Sequence, residues 1–461
     1  MRSPEGLRHS RRGVVCHSRR GVAQGFSPAI AFAARCVALL LQGVTLIVVA
    51  RGFSPAIAIA QTPTPTERVT FDEAIRRAVD KNPSAAMAAA GILRAEALMA
   101  EARSASRLQV NATVTTTTLN SGVEFQGSTV TPQNQLTAGL DVHIPIYAPA
   151  RWARTAQAGD AGQVAQANAD EVRRQTSLAT ADAYLTVIAR RRVVDANVRA
   201  RDVAKAHFDY AHELLERGAG SRLNELRAQH EVSLDEGLVE SSRLALYRAQ
   251  EALGVLLVAD RPVDASDEPL FAIPNDIPPL QAGPWRTDLK LFATEQQAAE
   301  RVLGDSGKDR LPYLEGIFQP STTYPSQFFL PQNSWRFLMQ LSVPIFDSGQ
   351  RQGQRLERQA AVDVSRTTIA RAVTMARSEI RAAREAIASA DRGLASTQAA
   401  ADQAKQVVDI VNISFRAGGA TNIEVIDAEG RARDADTAVG VAEDTLRRAR
   451  LELLTALGRF P

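Results

Sequence analysis

Two stretches of the chain alternate apolar residues with mostly polar ones. Over residues 136–144, Leu136, Ala138, Leu140, Val142 and Ile144 interleave with Thr137, Gly139, Asp141 and His143. Over residues 335–345, Trp335, Phe337, Met339, Leu341, Val343 and Ile345 interleave with Arg336, Leu338, Gln340, Ser342 and Pro344. A period of two gives a strand one apolar and one mostly polar face. Residues 108–119 alternate more weakly, and 311–320 are the least regular, so the pattern predicts two strand pairs. The intervening "NSGVEFQGSTVTPQNQ" and "STTYPSQFFLPQN" read as exposed loops.

Helix patterning takes over elsewhere. Thr70 and Glu73 form a capping box, and the helix they open should run to about Ser106 with a break near Asn82-Pro83. Two much longer helices are expected over residues 151–217 and 350–415, each reaching roughly 100 Å if unbroken. Frequent alanines allow close helix approach, scattered Leu, Val and Ile supply packing, and polar residues on most faces suit a hollow, water-lined assembly better than a solid bundle.

The chain repeats itself. "HIPIYAPARW" (143–152) matches "SVPIFDSGQR" (342–351), with Pro145, Ile146 and Tyr147 in step with Pro344, Ile345 and Phe346. Further on, Gly218, Leu223, Leu226 and Ala228 match Gly418, Ile423, Ile426 and Ala428. Each half therefore runs helix, two strands, long helix, turn, helix. The first repeat occupies residues 61–260 and the second 285–461. Between them, residues 261–284 hold six prolines and read as a linker with no regular element.

Alternation alone does not separate a sandwich core from a lipid-facing barrel wall. Two strand pairs are too few for a large sandwich, and strands near ten residues match a bilayer crossing. An open four-stranded sheet cannot sit in lipid, because its edges leave backbone groups unpaired. Strands that span a membrane here require several chains to share one closed barrel.

Charge changes the picture once the first 60 residues are set apart. The whole chain carries 54 basic and 51 acidic residues, a net +3. Residues 1–60 hold eight Arg and one acid, which leaves 46 basic against 50 acidic, or −4, and no basic nucleic-acid-binding face is implied. Both cysteines, Cys16 and Cys36, also lie in this segment. Its "CVALLLQGVTLIVVA" run suits the core of a Sec-type signal peptide, with cleavage expected after Ala58-Ile59-Ala60. The segment is long for a leader and repeats "HSRRGV" and "GFSPAIA", as if the start were set too far upstream. No lipobox precedes either cysteine.

Candidate chemistry is sparse. His207, His212 and His230 form no metal-ligand spacing and read as solvated helix positions. No nucleophile elbow, Walker loop or dinucleotide-binding glycine pattern stands in a suitable context, so neither an enzyme nor a cofactor is expected. Asp141, His143 and Arg336 fall on the polar face of their strands.

The ordered set of tandem halves, "LSVPIFDSGQRQGQ" at the strand-to-helix passage and "FRAGGATNIEVIDAE" at the second turn resembles the TolC-like outer-membrane efflux proteins over essentially residues 66–458. The resemblance implies a mainly α fold with a transmembrane β part: a long periplasmic α-helical barrel, and four strands per chain given to a shared, trimeric, twelve-stranded barrel in outer-membrane lipid. It further implies a homotrimeric exit duct for an efflux or type I secretion system, fed by an inner-membrane transporter and a periplasmic adaptor. Glu424 and Asp427 then fall at the periplasmic gate, with Asn224 at the corresponding first turn. Gly218, Ala219, Gly220, Gly418, Gly419 and Ala420 become the adaptor-facing turns. The same residues have local uses: Thr421 and Glu424 form a capping box, acids suit a helix's first turn, and glycines close turns. Ala420 stands where some relatives carry a basic locking residue. The competing reading is a periplasmic coiled-coil adaptor or scaffold without a barrel, which should lack the repeated strand pairs.

Overall fold

The computed structural model describes residues 66–273 and 285–460. The signal segment and its cleavage point, and residues 274–284 of the expected linker, lie outside the described residues. Seven α-helices are described: α1 (Phe71–Lys81), α2 (Pro83–Ser104), α3 (Pro149–Glu216), α4 (Arg222–Leu257), α5 (Thr287–Gly304), α6 (Gln350–Arg416) and α7 (Asn422–Ala456). The strands are β1 (Glu67–Val69), β2 (Gln109–Thr118), β3 (Val123–Phe125), β4 (Ser128–Thr131), β5 (Asn134–Tyr147), β6 (Val263–Ala265), β7 (Tyr313–Tyr324) and β8 (Asn333–Ser342). Among the described residues no helix is long and apolar enough to cross a membrane.

The break between α1 and α2 has a local cause. Asn82 adopts an extended conformation ahead of Pro83, and its side chain accepts from Ser84 N at 2.9 Å to start the next helix. Only half of the capping box expected before α1 forms. Thr70 Oγ1 accepts from Glu73 N at 3.4 Å, but the Glu73 carboxylate turns to Arg76 and Arg77.

Helices α3 and α6 run unbroken for 68 and 67 residues, so each spans about 100 Å. Helix α3 packs against α2, α4, α5 and α7, while α6 packs against α5 and α7. Midway along α3, beside the C-terminal ends of α4 and α7, one core gathers Val69, Phe71, Tyr184, Leu185, Leu253, Leu257, Val263 and Leu451. Here the expectation that the proline-rich stretch holds no regular element fails for three residues. Residues 263–265 form β6, fully buried and parallel to β1, with Glu67 opposite Val263. Pro262 precedes the strand and so interrupts no ladder bond. Tyr184 clamps the pair by donating to Val69 O at 3.0 Å and to the Asp267 carboxylate.

The four long strands form one antiparallel sheet in the order β2-β5-β7-β8. Its register sorts the faces. One row runs Val110, Val142, Phe318, Phe337, and the same face carries Leu136, Leu140, Ile144, Trp335, Met339 and Leu341. The opposite face carries Thr113, Asp141, His143, Glu315, Gln319 and Arg336. These bond across strands: Thr113 Oγ1 donates to Asp141 at 3.0 Å, Gln319 donates to Asp141, Arg336 donates to Gln319 at 2.6 Å, and His143 meets Glu315 at 3.1 Å. The apolar face is bare, with Trp335 72% and Val114 71% exposed. Among the described residues, strands β2 and β8 are both open edges. The first expected loop contains the β3–β4 hairpin, turned at Gln126-Gly127, both at positive φ.

Candidate functional site

The two helical turns fold alike. Helix α3 ends in a left-handed Gly218 (φ 73°), with Ala219 N donating to Leu214 O at 2.9 Å and Gly218 N to Leu215 O at 3.0 Å. Helix α6 ends in Gly418 (φ 80°), with Gly419 N donating to Ser414 O at 2.8 Å and Gly418 N to Phe415 O at 3.1 Å. Both are Schellman closures, in which glycine avoids the Cβ cost of positive φ. Gly220 has a further reason: a Cβ there would lie 2.6 Å from Leu215 N and 2.8 Å from Leu214 C. Its counterpart in the second turn is Ala420, so the two turns tolerate different residues at this step.

Each turn then restarts a helix with its own cap. Ser221 accepts from Leu223 N at 3.2 Å. Thr421 and Glu424 complete a full capping box, Thr421 N donating to Glu424 Oε2 at 2.6 Å and Glu424 N to Thr421 Oγ1 at 3.4 Å. The Thr421 backbone N–H, followed by its hydroxyl, holds the Glu424 carboxyl below its ordinary range. Asp427 pairs with Arg431 one turn on, at 3.0 Å, both exposed. Both acids are therefore solvated and close to the turn.

Asn224 contributes its backbone carbonyl to a contact joining the two turns. Asn422, 2% exposed, accepts from His207 Nε2 through Oδ1 at 2.6 Å and donates through Nδ2 to Asn224 O at 3.3 Å. One side chain at the start of α7 thus ties α3 to the start of α4. His207 is buried rather than solvated, and burial depresses its proton affinity, opposed by the bond to Asn422. His212 is also engaged, meeting Glu225 at 2.7 Å. Glu225 is buried where the second turn has Val425, and its bonds to His212 and then Arg222 keep its carboxyl low. His212 and His230 are both exposed, as the solvated reading has it.

Exposed Leu223, Leu226 and Ile423 flank the turns. Leu226, Arg227, His230, Glu231, Ile423 and Ile426 line a groove of about 330 Å³ between α4 and α7. Among the described residues, no group of three His, Cys, Asp or Glu could hold a metal ion.

The fold is a set of long helical hairpins with a strand-built end, and comparison with known proteins places it in a family. The profile of the outer membrane efflux protein family matches residues 74–257 and 287–459, and the chain belongs to that family. No curated protein sequence matches it significantly. Among solved structures it is similar to the outer membrane protein VceC of Vibrio cholerae, with a TM-score of 0.71 at 18% identity, covering 84% of this chain and 96% of that one. The Campylobacter jejuni CmeC outer membrane channel matches with a TM-score of 0.73 at 13% identity, covering 89% and 93%. The open state of the Neisseria gonorrhoeae MtrE outer membrane channel matches with a TM-score of 0.68 at 16% identity, covering 88% and 97%. At these identities the likeness establishes a shared fold.

Proposed function

We propose that the chain is one third of an outer-membrane exit duct that conducts substrates passively and performs no covalent chemistry. The observation that carries this reading is the four-stranded sheet, whose apolar face is bare and whose edges β2 and β8 are both unpaired. In lipid such a sheet needs neighbours on both sides. Three copies would supply twelve strands, enclosing the polar face that carries Asp141, His143 and Arg336. A periplasmic scaffold without a barrel gives no use for this face.

At the other end, the paired turns are the entrance. Asn422, bonded to His207 and Asn224, holds the two hairpins of a chain together there. Three copies of Glu424 and Asp427 would gather negative charge at the mouth, attracting cations and disfavouring anions. Capping and gating are compatible roles for Glu424. The turns at Gly218, Ala219, Gly220 and at Gly418, Gly419, Ala420, with the apolar groove beside them, suit a periplasmic adaptor that links the duct to an inner-membrane transporter.

The double variant Glu424→Gln, Asp427→Asn tests the entrance in planar bilayers. Reduced cation preference or altered block by multivalent cations is expected. Unchanged conductance and selectivity in an assembled channel would remove both acids from the gate.

A further inference from the structure

Two turns into α7, about 12 Å from its cap, Glu429 faces a cavity of about 240 Å³ to which all four long helices contribute. Helix α3 contributes Arg199 to its walls, α4 contributes Glu231 and Asp235, and α6 contributes Lys405 and Asp409. Helix α7 itself adds Arg433 and Asp436. Alanine and valine side chains, Ala196, Val203 and Val408 among them, fill the rest of the wall.

The three cations in this wall are all directed elsewhere. Arg433, one turn beyond Glu429 and its natural helical partner, reaches across the seam to Asp235 at 2.6 Å and Glu231 at 3.4 Å. Lys405 and Arg199 both approach Asp436, at 3.0 and 3.8 Å. Glu429 Oε2 is buried with no hydrogen-bond partner. A carboxylate left without a donor in such a place is costly, and the cost vanishes when it takes a proton.

We propose that Glu429 is a proton-operated release for the seam between α4 and α7. With its proton on, the carboxyl is neutral and the two hairpins stay joined through Arg433. With its proton off, Glu429 joins Glu231, Asp235 and Asp434, which already share the Arg433 guanidinium, and the hairpins part, which loads the Asn422 tie two turns away. The further step, from parted hairpins to an open entrance, rests on the gating reading above.

Burial, with Glu231 and Asp235 adding to it, raises the Glu429 carboxyl from 4.5 to about 7. The packed seam binds the proton more tightly than water-exposed Glu429 does, so packing is favoured while the proton is on. It loses ground as pH climbs from about 4.5 toward about 7, and above that the loss is complete. The limiting change in the packed-to-parted ratio is on the order of a hundredfold.

Hydrogen exchange of the full chain in detergent, over residues 225–240 and 425–440, tests this between about pH 5 and about pH 8, with intrinsic exchange rates corrected. Wild-type protection should fall by roughly a hundredfold across that range and level off near its top. Glu429→Gln should hold its acid-side protection throughout, as should Glu429→Leu if the amide variant fails to assemble. Glu424→Gln should follow wild type. A flat wild-type profile, or variants at Glu429 that decline like wild type, would overturn the proposal. Bilayer conductance in the same buffers separates the two readings: titrating exchange with pH-independent conductance upholds the release and overturns the gate.

Discussion

Removing the Asn422 side chain should loosen the joined turns more than its small size implies. In Asn422→Ala, the buried His207 Nε2–H loses its acceptor at 2.6 Å, and Asn224 O loses a donor at 3.3 Å. A buried donor left unpaired costs about 1–3 kcal/mol, and a long hydrogen bond contributes about 0.5 kcal/mol. Water entering the opened tip recovers part, so about 2 kcal/mol is expected, roughly a 30-fold shift toward separated hairpins. The assay is opening frequency in planar bilayers, paired with hydrogen exchange over the starts of α4 and α7. His207→Ala should have a similar effect, and the double variant should cost little more than either single change, with a coupling of at least about 1 kcal/mol. Wild-type opening frequency in an assembled Asn422→Ala channel, together with additive single changes, would refute the reasoning.

Gly220→Ala should lower the melting temperature by several degrees, because its Cβ would meet backbone atoms at 2.6 and 2.8 Å and the turn must shift, at about 1–3 kcal/mol. Gly419→Ala in the sister turn should be nearly silent in the same melt, since the nearest atom to its Cβ is 3.6 Å away. Met339→Lys places a charge on the bare apolar face and should cost about 2–4 kcal/mol in lipid, depleting the protein from the outer-membrane fraction. Thr115→Lys, on the polar face of β2, should fractionate like wild type.

Local signals explain what the sequence discloses. The Asn82-Pro83 break, the long helices and the Thr421–Glu424 cap depend on neighbours within a few residues. Strand β5 shows its alternation because both faces are filled with contrasting side chains. Strand β7 hides the same alternation, because Gly316 and Pro320 occupy apolar-face positions and Ile317 sits among the polar ones. Only its pairing with β8, Phe318 opposite Phe337 and Gln319 opposite Arg336, restores the pattern. The buried β6 is missed for a different reason: its partner β1 lies nearly two hundred residues earlier, and three residues beside a proline carry no period. The β3–β4 hairpin left a usable trace in Gln126-Gly127 flanked by Val123, Phe125 and Val130.

At the turns, the duplication locates the site and conceals its chemistry. Glycines, caps and flanking apolar residues recur in both halves and are therefore visible. Asn422 has no equivalent in the first turn, where Arg222 stands, and its partner His207 is 215 residues away. Glu429 corresponds to Gln229, and Glu225 to the apolar Val425. An acid at one copy's buried position is the one sequence feature that marks a site needing a partner, which His212 and Arg222 supply.

Closure of the sheet by other copies of the chain is the central claim, and native mass determination of the species extracted from outer membranes by mild detergent tests it most directly. The account predicts a trimer in the outer-membrane fraction, with β2 and β8 edge amides protected from exchange. A monomer whose edge amides exchange freely, or a species found only in the soluble periplasm, would contradict it.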